Sequence, residues 1–581
     1  MSDNRIDKRA VARALDEISR YLEFSDANKF KALAFKNAAR RMEDIQTDMA
    51  TFVESGEVNR TAGIGKAIGP MIVELVTTGS LRYLDELRAQ YPPGILDLVR
   101  VPGLGIRKIG VLYEQLGIAS LDELEQACRD HRLAKLPGFG KKTEEKILEG
   151  IEYLRSQSAQ FLLPRGIEAA GSLEKDLSRL KGVEQVIVAG EVRRRLEVIT
   201  SIELCASSKA PAAAAKAALD AGVLEQGAID GDNMLVGLAR YAIPTTIHFC
   251  KPSELVPALL FATGGSSFVN ELKNRAGRKG FSLSSSGLEK GGRKVAVGAE
   301  KDIFTKLSVP DVPPELRESD EWLSAKHDPS LVDVDDLQGT FHVHTTYSDG
   351  RASLAEMLEA AAGRGLKYVG ISDHSKTAAY AGGLTEDRVR EQTAEIERLR
   401  ESFPALRIFR GTECDILPSG EMDYGPATLS EFDFVIASVH SQFKTPKDEM
   451  TERIVRAIRN PWVTFLGHLT GRLLLSREGY QVDYDRIFDE AGKRGVMIEI
   501  NGNPRRLDLD WRLMRRAIER GVIFSINPDA HSTGELGNVL PGTWAARKGG
   551  VGPEHVFNTL PLREVEAFFT RRKKAAAKAM N

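Results

Sequence analysis

Over residues 1–80 apolar positions recur at helical spacing, as in Val11-Ala12-Arg13-Ala14-Leu15-Asp16-Glu17-Ile18, which predicts short amphipathic helices with polar connections. Three loops of one form, glycine–apolar–glycine, then punctuate the chain: Gly63-Ile64-Gly65-Lys66, Gly103-Leu104-Gly105-Ile106 and Gly138-Phe139-Gly140-Lys141. Each lies between a helical segment and the start of another helix. From about 165 to 290 the pattern is mixed, with strand-like runs at Gln185–Ala189, Ile199–Cys205 and Thr245–Cys250. The Pro- and charge-rich stretch Val309–Asp336 predicts a linker holding local turns. Beyond it, runs at Tyr368–Ser372, Arg407–Gly411, Phe434–Ser438, Val463–Gly467, Val496–Ile500 and Ile523–Ile526 alternate with helical segments. Such alternation predicts βα units around a parallel sheet, open or closed into a barrel.

At 581 residues the chain is too long for one core, so several domains are expected. A hydrophobic share of 42% and a charged share of 28% fit a soluble globular protein. No run is apolar enough to cross a membrane and the N-terminus does not read as a signal peptide, so a cytoplasmic location with no membrane partner is expected. Cys128, Cys205, Cys250 and Cys414 form no CxxC pair, which argues against a disulfide framework or a cysteine zinc site. With a net charge of −2, nucleic-acid binding has to rest on local patches.

The chemistry concentrates in the last third. Six of ten histidines fall at the ends of the strand-like runs: His342, His344, His374, His440, His468 and His531. Asp349, Glu413 and Asp529 occupy equivalent places. In a parallel barrel the C-terminal strand ends converge on one face, so these nine residues are expected to form one pocket. The His-x-His pair also places two imidazoles on one face of a strand. A lone strand-end histidine is an ordinary structural residue; six on successive βα loops, joined by three acids, point to metal. Imidazole and carboxylate together suit Zn²⁺, Mn²⁺ or Fe, and such ions polarise a phosphoryl group and stabilise a leaving oxygen.

This arrangement resembles the polymerase and histidinol phosphatase (PHP) family of metal-dependent phosphoesterases, whose fold is a distorted seven-stranded βα barrel. The resemblance implies two or three divalent ions. His342, His344, Glu413 and Asp529 would hold one, Glu413, His440 and His468 a second, and Asp349, His374 and His531 a third. Thr340-Phe341 stands where the family often has Asp-Leu, and neither is a ligand position.

The three glycine loops look like helix-hairpin-helix hairpins. Glycine lets backbone approach a phosphate, and the following helix offers free N–H donors. Lys66, Arg107, Lys108, Lys141 and Lys142 sit beside them, and Pro102 and Pro137 precede two of them. Contacts of this kind fix register without reading sequence and predict salt-sensitive, nonspecific DNA binding. The order of parts then resembles a bacterial family X DNA polymerase over nearly all of residues 1–540. Landmarks are Ala189-Gly190-Glu191-Val192-Arg193-Arg194, Ala262-Thr263-Gly264-Gly265, Glu300-Lys301-Asp302-Ile303-Phe304 and Pro313-Pro314-Glu315-Leu316-Arg317-Glu318.

The expected architecture is multidomain α+β and α/β. A helical helix-hairpin-helix domain spans 1–82, fingers-like tandem hairpins 83–160, and a degenerate polymerase beta-like nucleotidyltransferase palm 161–255. A thumb-like domain spans 256–318, a linker 319–337, and the distorted (βα)7 PHP barrel 338–575. Against the family pattern, the catalytic Asp-x-Asp positions fall on Ser201 and Glu203 and the third aspartate on Thr246. Gly190-Glu191 replaces the Gly-Ser that helps hold the triphosphate, although Arg194 stands as a phosphate ligand. The lyase lysine position falls on Met71, and a thioether forms no imine. Glu197, Asp230 and Asp232 are nearby acids, but none restores a paired motif on a strand.

The expected function is a DNA-binding, metal-dependent phosphoesterase. It would be a 3′→5′ exonuclease or 3′-end-processing enzyme in DNA repair, acting on gapped, nicked or single-stranded 3′ ends, with an inactivated polymerase site. The alternatives are an active repair polymerase with an attached exonuclease, and a non-catalytic DNA-end-binding scaffold. The basic tail Arg571-Arg572-Lys573-Lys574 reads equally as a phosphate contact or a solvated helix end.

Overall fold

In the computed structural model, the helical spacing at the N-terminus becomes a helix over Lys8–Phe24, with Val11, Leu15, Ile18 and Leu22 on its buried face. It packs on a second helix, Lys29–Asp44, through Phe35 and Met42. The structure describes all residues except 1–7, 25–28, 46, 62, 93, 100, 102–103, 137, 158–159 and 581. The chain divides into two units, Met1–Ala159 and Gln160–Asn581. In the first, Ile64, Leu104 and Phe139, the middle residues of the three loops, are all buried. Their burial turns the flanking described glycines outward.

The second unit begins with a mixed five-stranded sheet: β1 Val183–Ala189, β2 Ile202–Ser208, β3 Glu225–Asp230, β4 Met234–Ala239 and β5 Ile243–Cys250, ordered β1-β2-β5-β4-β3. The β3–β4 hairpin escaped the sequence pattern because β3 is almost wholly exposed and lacks alternation. The Ile199–Cys205 run is broken at Thr200-Ser201: Ile199 pairs with Phe161, and β2 starts afresh at Ile202. A helix over Ser266–Arg278, a three-stranded antiparallel sheet within 281–295, and a helix over Glu300–Leu307 follow. The Pro-rich stretch after them does contain three short 3₁₀ turns, yet it is packed. Val312, Leu316 and Leu323 enter the core of the preceding helices, and Val332 enters that of the barrel.

Seven strands then form one wholly parallel sheet in chain order: β6 Gly339–Val343, β7 Tyr368–Ile371, β8 Arg407–Asp415, β9 Phe434–Ser438, β10 Phe465–Leu466, β11 Met497–Asn501 and β12 Phe524–Asn527. A bridge between Val343 and Ala530 nearly closes it into a barrel. Both faces of these strands are buried, so they read as continuous apolar runs rather than alternating ones. Phe341 fills the barrel interior, its ring 5.1 Å from Phe434, 5.2 Å from Phe465 and 5.6 Å from Phe569 of the C-terminal helix. Gly370 and Gly411 leave room for this aromatic plug, since a Cβ at either would lie under 3 Å from the Phe434 ring. With one end filled by aromatics, the polar pocket opens at the C-terminal strand ends.

Candidate metal centre

All nine residues that the sequence singled out meet at that face. His342 is the second-to-last residue of β6, His344 follows the strand, and Asp349 lies in the next loop. Glu413 sits on β8; His374, His440, His468, Asp529 and His531 follow β7, β9, β10 and β12. Glu413 is the hub. Its Oε2 is 3.3 Å from His342 Nε2, 3.5 Å from His344 Nε2 and 3.1 Å from His374 Nδ1. Its Oε1 is 3.1 Å from His440 Nε2 and 2.9 Å from His468 Nε2. On the far side, Asp529 Oδ1 is 3.6 Å from His342 Nε2 and 3.5 Å from His344 Nε2. Asp349 Oδ1 is 3.3 Å from His531 Nε2 and 3.6 Å from His374 Nε2.

Ligand-capable atoms gather in four sets: His344, Asp349, His374 and His531; His342, Glu413 and His468; His342, His344 and Asp529; His374, Glu413 and His440. The sets share members more than the family resemblance implies, with His344 also facing Asp349 and His374 also facing Glu413. Whether these residues suit divalent cations is tested by their unmet polar atoms. His342 Nε2, both nitrogens of His344, His374 Nδ1 and His468 Nδ1 are buried without a hydrogen bond. Burying such atoms unpaired is costly, and borderline imidazole–carboxylate sets are what Zn²⁺, Mn²⁺ or Fe select. The donor set fits.

The electrostatics agree. Burial alone would raise the Glu413 carboxyl, but His342, His440 and His374 hold it well below the usual carboxylate range. Asp529 is likewise depressed, by His342, His344 and Arg506 against its burial. Burial would lower His440, yet Glu413 and Asp415 push it up to about 10. Asp349 and Asp529 similarly raise His531 to about 9. His374 goes the other way, to about 3, because burial outweighs Glu413. Metal binding to such a set displaces protons.

Sequence reasoning missed the residues that aim the imidazoles. Glu499 on β11, fully buried, lies 2.5 Å from His342 Nδ1 and accepts hydrogen bonds from Asn527 Nδ2 and the His468 backbone N–H. Asp415 holds His440 Nδ1 at 2.6 Å, and the Asp529 carbonyl lies 3.1 Å from His531 Nδ1. The available signal was a carboxylate inside an apolar strand run, Val496–Ile500, where an unpaired charge would not be tolerated. Three of the nine predicted residues adopt left-handed backbone: His342 (φ 61°), His468 (φ 23°) and Asp529 (φ 50°). Each such conformation costs about 1–3 kcal/mol and clusters where function needs it. A mostly apolar cavity of about 540 Å³ lies at the opposite, N-terminal strand ends, against the C-terminal helix. That helix answers the question of the tail in part: Arg572 donates to the Val463, Arg494 and Gly495 carbonyls.

Elsewhere the structure brings Ser201, Glu203 and Thr246 together. Glu203 on β2 is the register partner of Thr246 on parallel β5, and Ser201 immediately precedes β2. Glu203 Oε2 lies 3.3 Å from His248 Nε2. Glu191 accepts hydrogen bonds from the Thr200 and Ser201 backbone N–H groups. Arg194 has internal partners, donating to the Thr263 carbonyl at 2.7 Å and pairing with Glu318 at 3.1 Å. Glu197 is bound to Trp511 and Arg512, while Asp230 and Asp232 are exposed at the β3–β4 hairpin. Met71 packs against the core of the first unit.

Of the predicted DNA contacts, Gly63 and Gly138 have positive φ (87° and 82°). Gly65, Gly105, Gly138 and Gly140 have open space where a Cβ would lie. Lys66, Lys141 and Lys142 are exposed, and Lys108 lies over the Phe139 ring. Pro102, Gly103, Pro137 and the Arg107 side chain lie outside the described residues.

Comparison with known proteins follows the same division. Profiles for a helix-hairpin-helix domain match residues 6–81, for a SAM-like helix-hairpin-helix tandem 95–152, for a DNA polymerase beta thumb 258–318, and for a PHP domain 340–503. A probable phosphatase of Thermoanaerobacter sp. (strain X514) is 25% identical over 40% of this chain and 94% of its own. A solved Leishmania infantum polymerase beta ternary complex aligns at 20% identity over 38% of this chain and 96% of its own, with a TM-score of 0.25, too loose to carry an argument. The DNA polymerase/3′-5′ exonuclease PolX of Bacillus subtilis (strain 168) is 33% identical over 97% of this chain and 99% of its own. That extent of identity, with the profile order and the nearly closed seven-stranded barrel, means that the chain belongs to the bacterial family X DNA polymerases with a C-terminal PHP phosphoesterase domain.

Proposed function

We propose that this chain is a DNA-end-processing phosphoesterase, a 3′→5′ exonuclease acting in repair, whose polymerase site is inactive. The observation that carries it is the pocket of six histidines and three acids, with five buried imidazole nitrogens left unbonded. Two or three divalent ions held by these nine residues would supply Lewis acidity to a phosphodiester and charge stabilisation to its leaving oxygen. The chain's own contribution is orientation. Glu499 and Asp415 engage the Nδ1 atoms of His342 and His440 and thereby direct Nε2 into the pocket. Glu413, touching five imidazoles, is the shared carboxylate. Helix-hairpin-helix segments within 1–82 and 83–160 hold DNA through Lys66, Arg107, Lys108, Lys141 and Lys142. The palm- and thumb-like 161–318 region serves as a scaffold, 319–337 connects it, and 338–575 carries the chemistry.

Inactivity of the palm rests on side-chain chemistry. Two Mg²⁺ ions need paired carboxylates, and Glu203 faces a threonine across β5, with Ser201 the nearer neighbour in sequence. The second reading, an active polymerase with an exonuclease, is favoured by the name of the Bacillus subtilis relative, 33% identical to this chain. Labelled single-stranded and gapped DNA with Mn²⁺, with and without dNTPs, separates the two. Shortening abolished by His342→Ala or Glu413→Ala, with DNA binding intact, is expected. Robust primer extension abolished by Glu203→Ala would overturn the inactive palm, and mere retention of uncut DNA would leave only a scaffold.

A further inference from the structure

Tyr380 is 71% exposed, one of the few large apolar side chains on the surface, and it stands at the mouth of the metal pocket. Its ring centroid lies 6.3 Å from that of His374 and 6.4 Å from that of His440. The turn that carries it, Ala379–Ala381, is firmly held. Ala378 and Ala381 on either side are buried, and the Ala381 and Gly383 N–H groups donate to the Ala378 carbonyl. The Leu384 N–H donates to the His374 carbonyl at 2.8 Å, tying the loop to a predicted ligand. Gly383 admits no side chain, since a Cβ there would lie 1.9 Å from the Ser375 carbonyl oxygen. A rigid backbone thus projects an aromatic ring into solvent beside the site. Folding gains nothing from that exposure.

Cationic groups complete the rim. Arg506 Nε lies 3.3 Å from Asp529 Oδ2. Arg477 donates twice to the Gly471 carbonyl and has no carboxylate partner among the described residues. The loops that carry the two arginines are joined by the Leu474 N–H, which donates to the Arg505 carbonyl at 2.7 Å. Two guanidinium groups near each other, one without an acid, suit a phosphate.

We propose that Tyr380 is the stacking platform for the 3′-terminal base, with Arg477 and Arg506 receiving the adjoining backbone phosphate. The proposal rests on the end-processing reading and adds its specificity determinant. Every base presents a π-face, so an aromatic stack accepts any terminal nucleotide, as a sequence-blind exonuclease requires. It also makes the site discriminate a nucleotide end from a small aliphatic phosphate ester.

The test uses the full chain with Mn²⁺ and a single-stranded oligonucleotide bearing 2-aminopurine as its 3′-terminal base, the last linkage being a phosphorothioate that slows cleavage. Wild type and Tyr380→Phe should quench the terminal probe; Tyr380→Ala should not, while a probe well inside the strand reports no difference. In kinetics, Tyr380→Ala should raise KM on a normal 3′ end by roughly 5- to 150-fold. On an end whose last nucleotide is abasic it should have no effect. Wild-type quenching by Tyr380→Ala, or an equal loss on normal and abasic ends, would sink the stacking role and leave the exonuclease reading standing. A wild-type protein that neither quenches nor shortens the DNA would take down both.

Discussion

Glu413→Gln tests the shared-carboxylate reading quantitatively. Glu413 lies within 3.5 Å of nitrogens on His342, His344, His374, His440 and His468 and belongs to two of the four ligand sets. An ion present at about 1,000 times its Kd adds about 4 kcal/mol to stability. The unit Gln160–Asn581, about 420 residues, has an unfolding entropy near 0.9 kcal/mol/K at about 2.1 cal/mol/K per residue. One bound ion therefore raises Tm by about 4–5 °C, and two raise it by about 9 °C. A glutamine has the same shape but no charge, so both sets built on Glu413 weaken, while the His344–Asp349–His374–His531 and His342–His344–Asp529 sets, which share His344, keep every member. The Mn²⁺-dependent shift, read by scanning calorimetry on EDTA-treated protein, should fall to about 4 °C or less. A variant keeping the wild-type shift would show that Glu413 is not the common ligand and refute the reasoning.

Further predictions concern the aiming carboxylate, the ion pairs of the polymerase-like core and the hairpins. Glu499→Gln leaves all nine ligands in place but weakens the hold on His342 Nδ1, so metal affinity by titration calorimetry should fall about 10- to 100-fold; an unchanged affinity would show that the buried carboxylate does not aim the ligand. Burial would raise the Glu318 and Glu300 carboxyls, but Lys548 with Arg194, and Arg193 with Arg317, overcome it and hold both below 4.5. Their folded values being depressed, they add stability that is present above about pH 4.5 and lost as pH falls through the lower folded values. Acid unfolding of wild type should thus steepen below that pH, and Glu318→Gln should flatten the profile; parallel profiles would contradict the network. In the first unit, Lys141→Ala with Lys142→Ala should reduce the salt slope of DNA binding by about 0.9 for each phosphate no longer neutralised, and an unaltered slope would place the phosphates elsewhere.

The site was legible in the sequence because βα alternation carries its own geometry. Once Tyr368–Ser372 through Ile523–Ile526 are read as parallel strands, their ends share a face, and residues as far apart as His342 and His531 become neighbours. What stayed hidden has physical reasons too. Glu499 and Asn527 lie within strands rather than beyond them, and their role appears only through the register that sets them beside His342. β3 is almost wholly exposed, and the strands of the 281–295 sheet run only three or four residues, burying Leu283 and Leu288, so no hydrophobic period marks them. At the break, the Thr200 and Ser201 backbone N–H groups donate to the Glu191 carboxylate of another element, which no local pattern encodes. Likewise, Val309–Asp336 has the composition of a linker while Val312, Leu316 and Leu323 carry its packing.

The polymerase-like core shows how a scaffold can stand without its proposed lost chemistry. The family landmarks, scattered from Arg193 to Glu318 in sequence, converge into one ion-pair network. Arg193 pairs with Glu300 at 2.7 Å and bonds Thr263 Oγ1, Arg317 pairs with Glu300 at 2.6 Å, and Arg194 pairs with Glu318. The barrel joins it: buried Lys548 reaches Glu318 at 2.9 Å and the Arg194 carbonyl at 3.2 Å. Glu197 binds Trp511 and Arg512 from the other side of the same seam. Removing Arg194 would leave Glu318, about a quarter exposed, with Lys548 as its remaining ion-pair partner and would break the hydrogen bond to the Thr263 carbonyl. Under the proposed reading, the absence of grouped aspartates from the palm costs the fold little, because carboxylates grouped for metal repel one another without it. On that same proposed reading, the fold accepts Ser201 and Thr246 at these places, whereas Arg194 is held by the Thr263 carbonyl and Glu318. Its presence therefore says nothing about whether a nucleotide still binds.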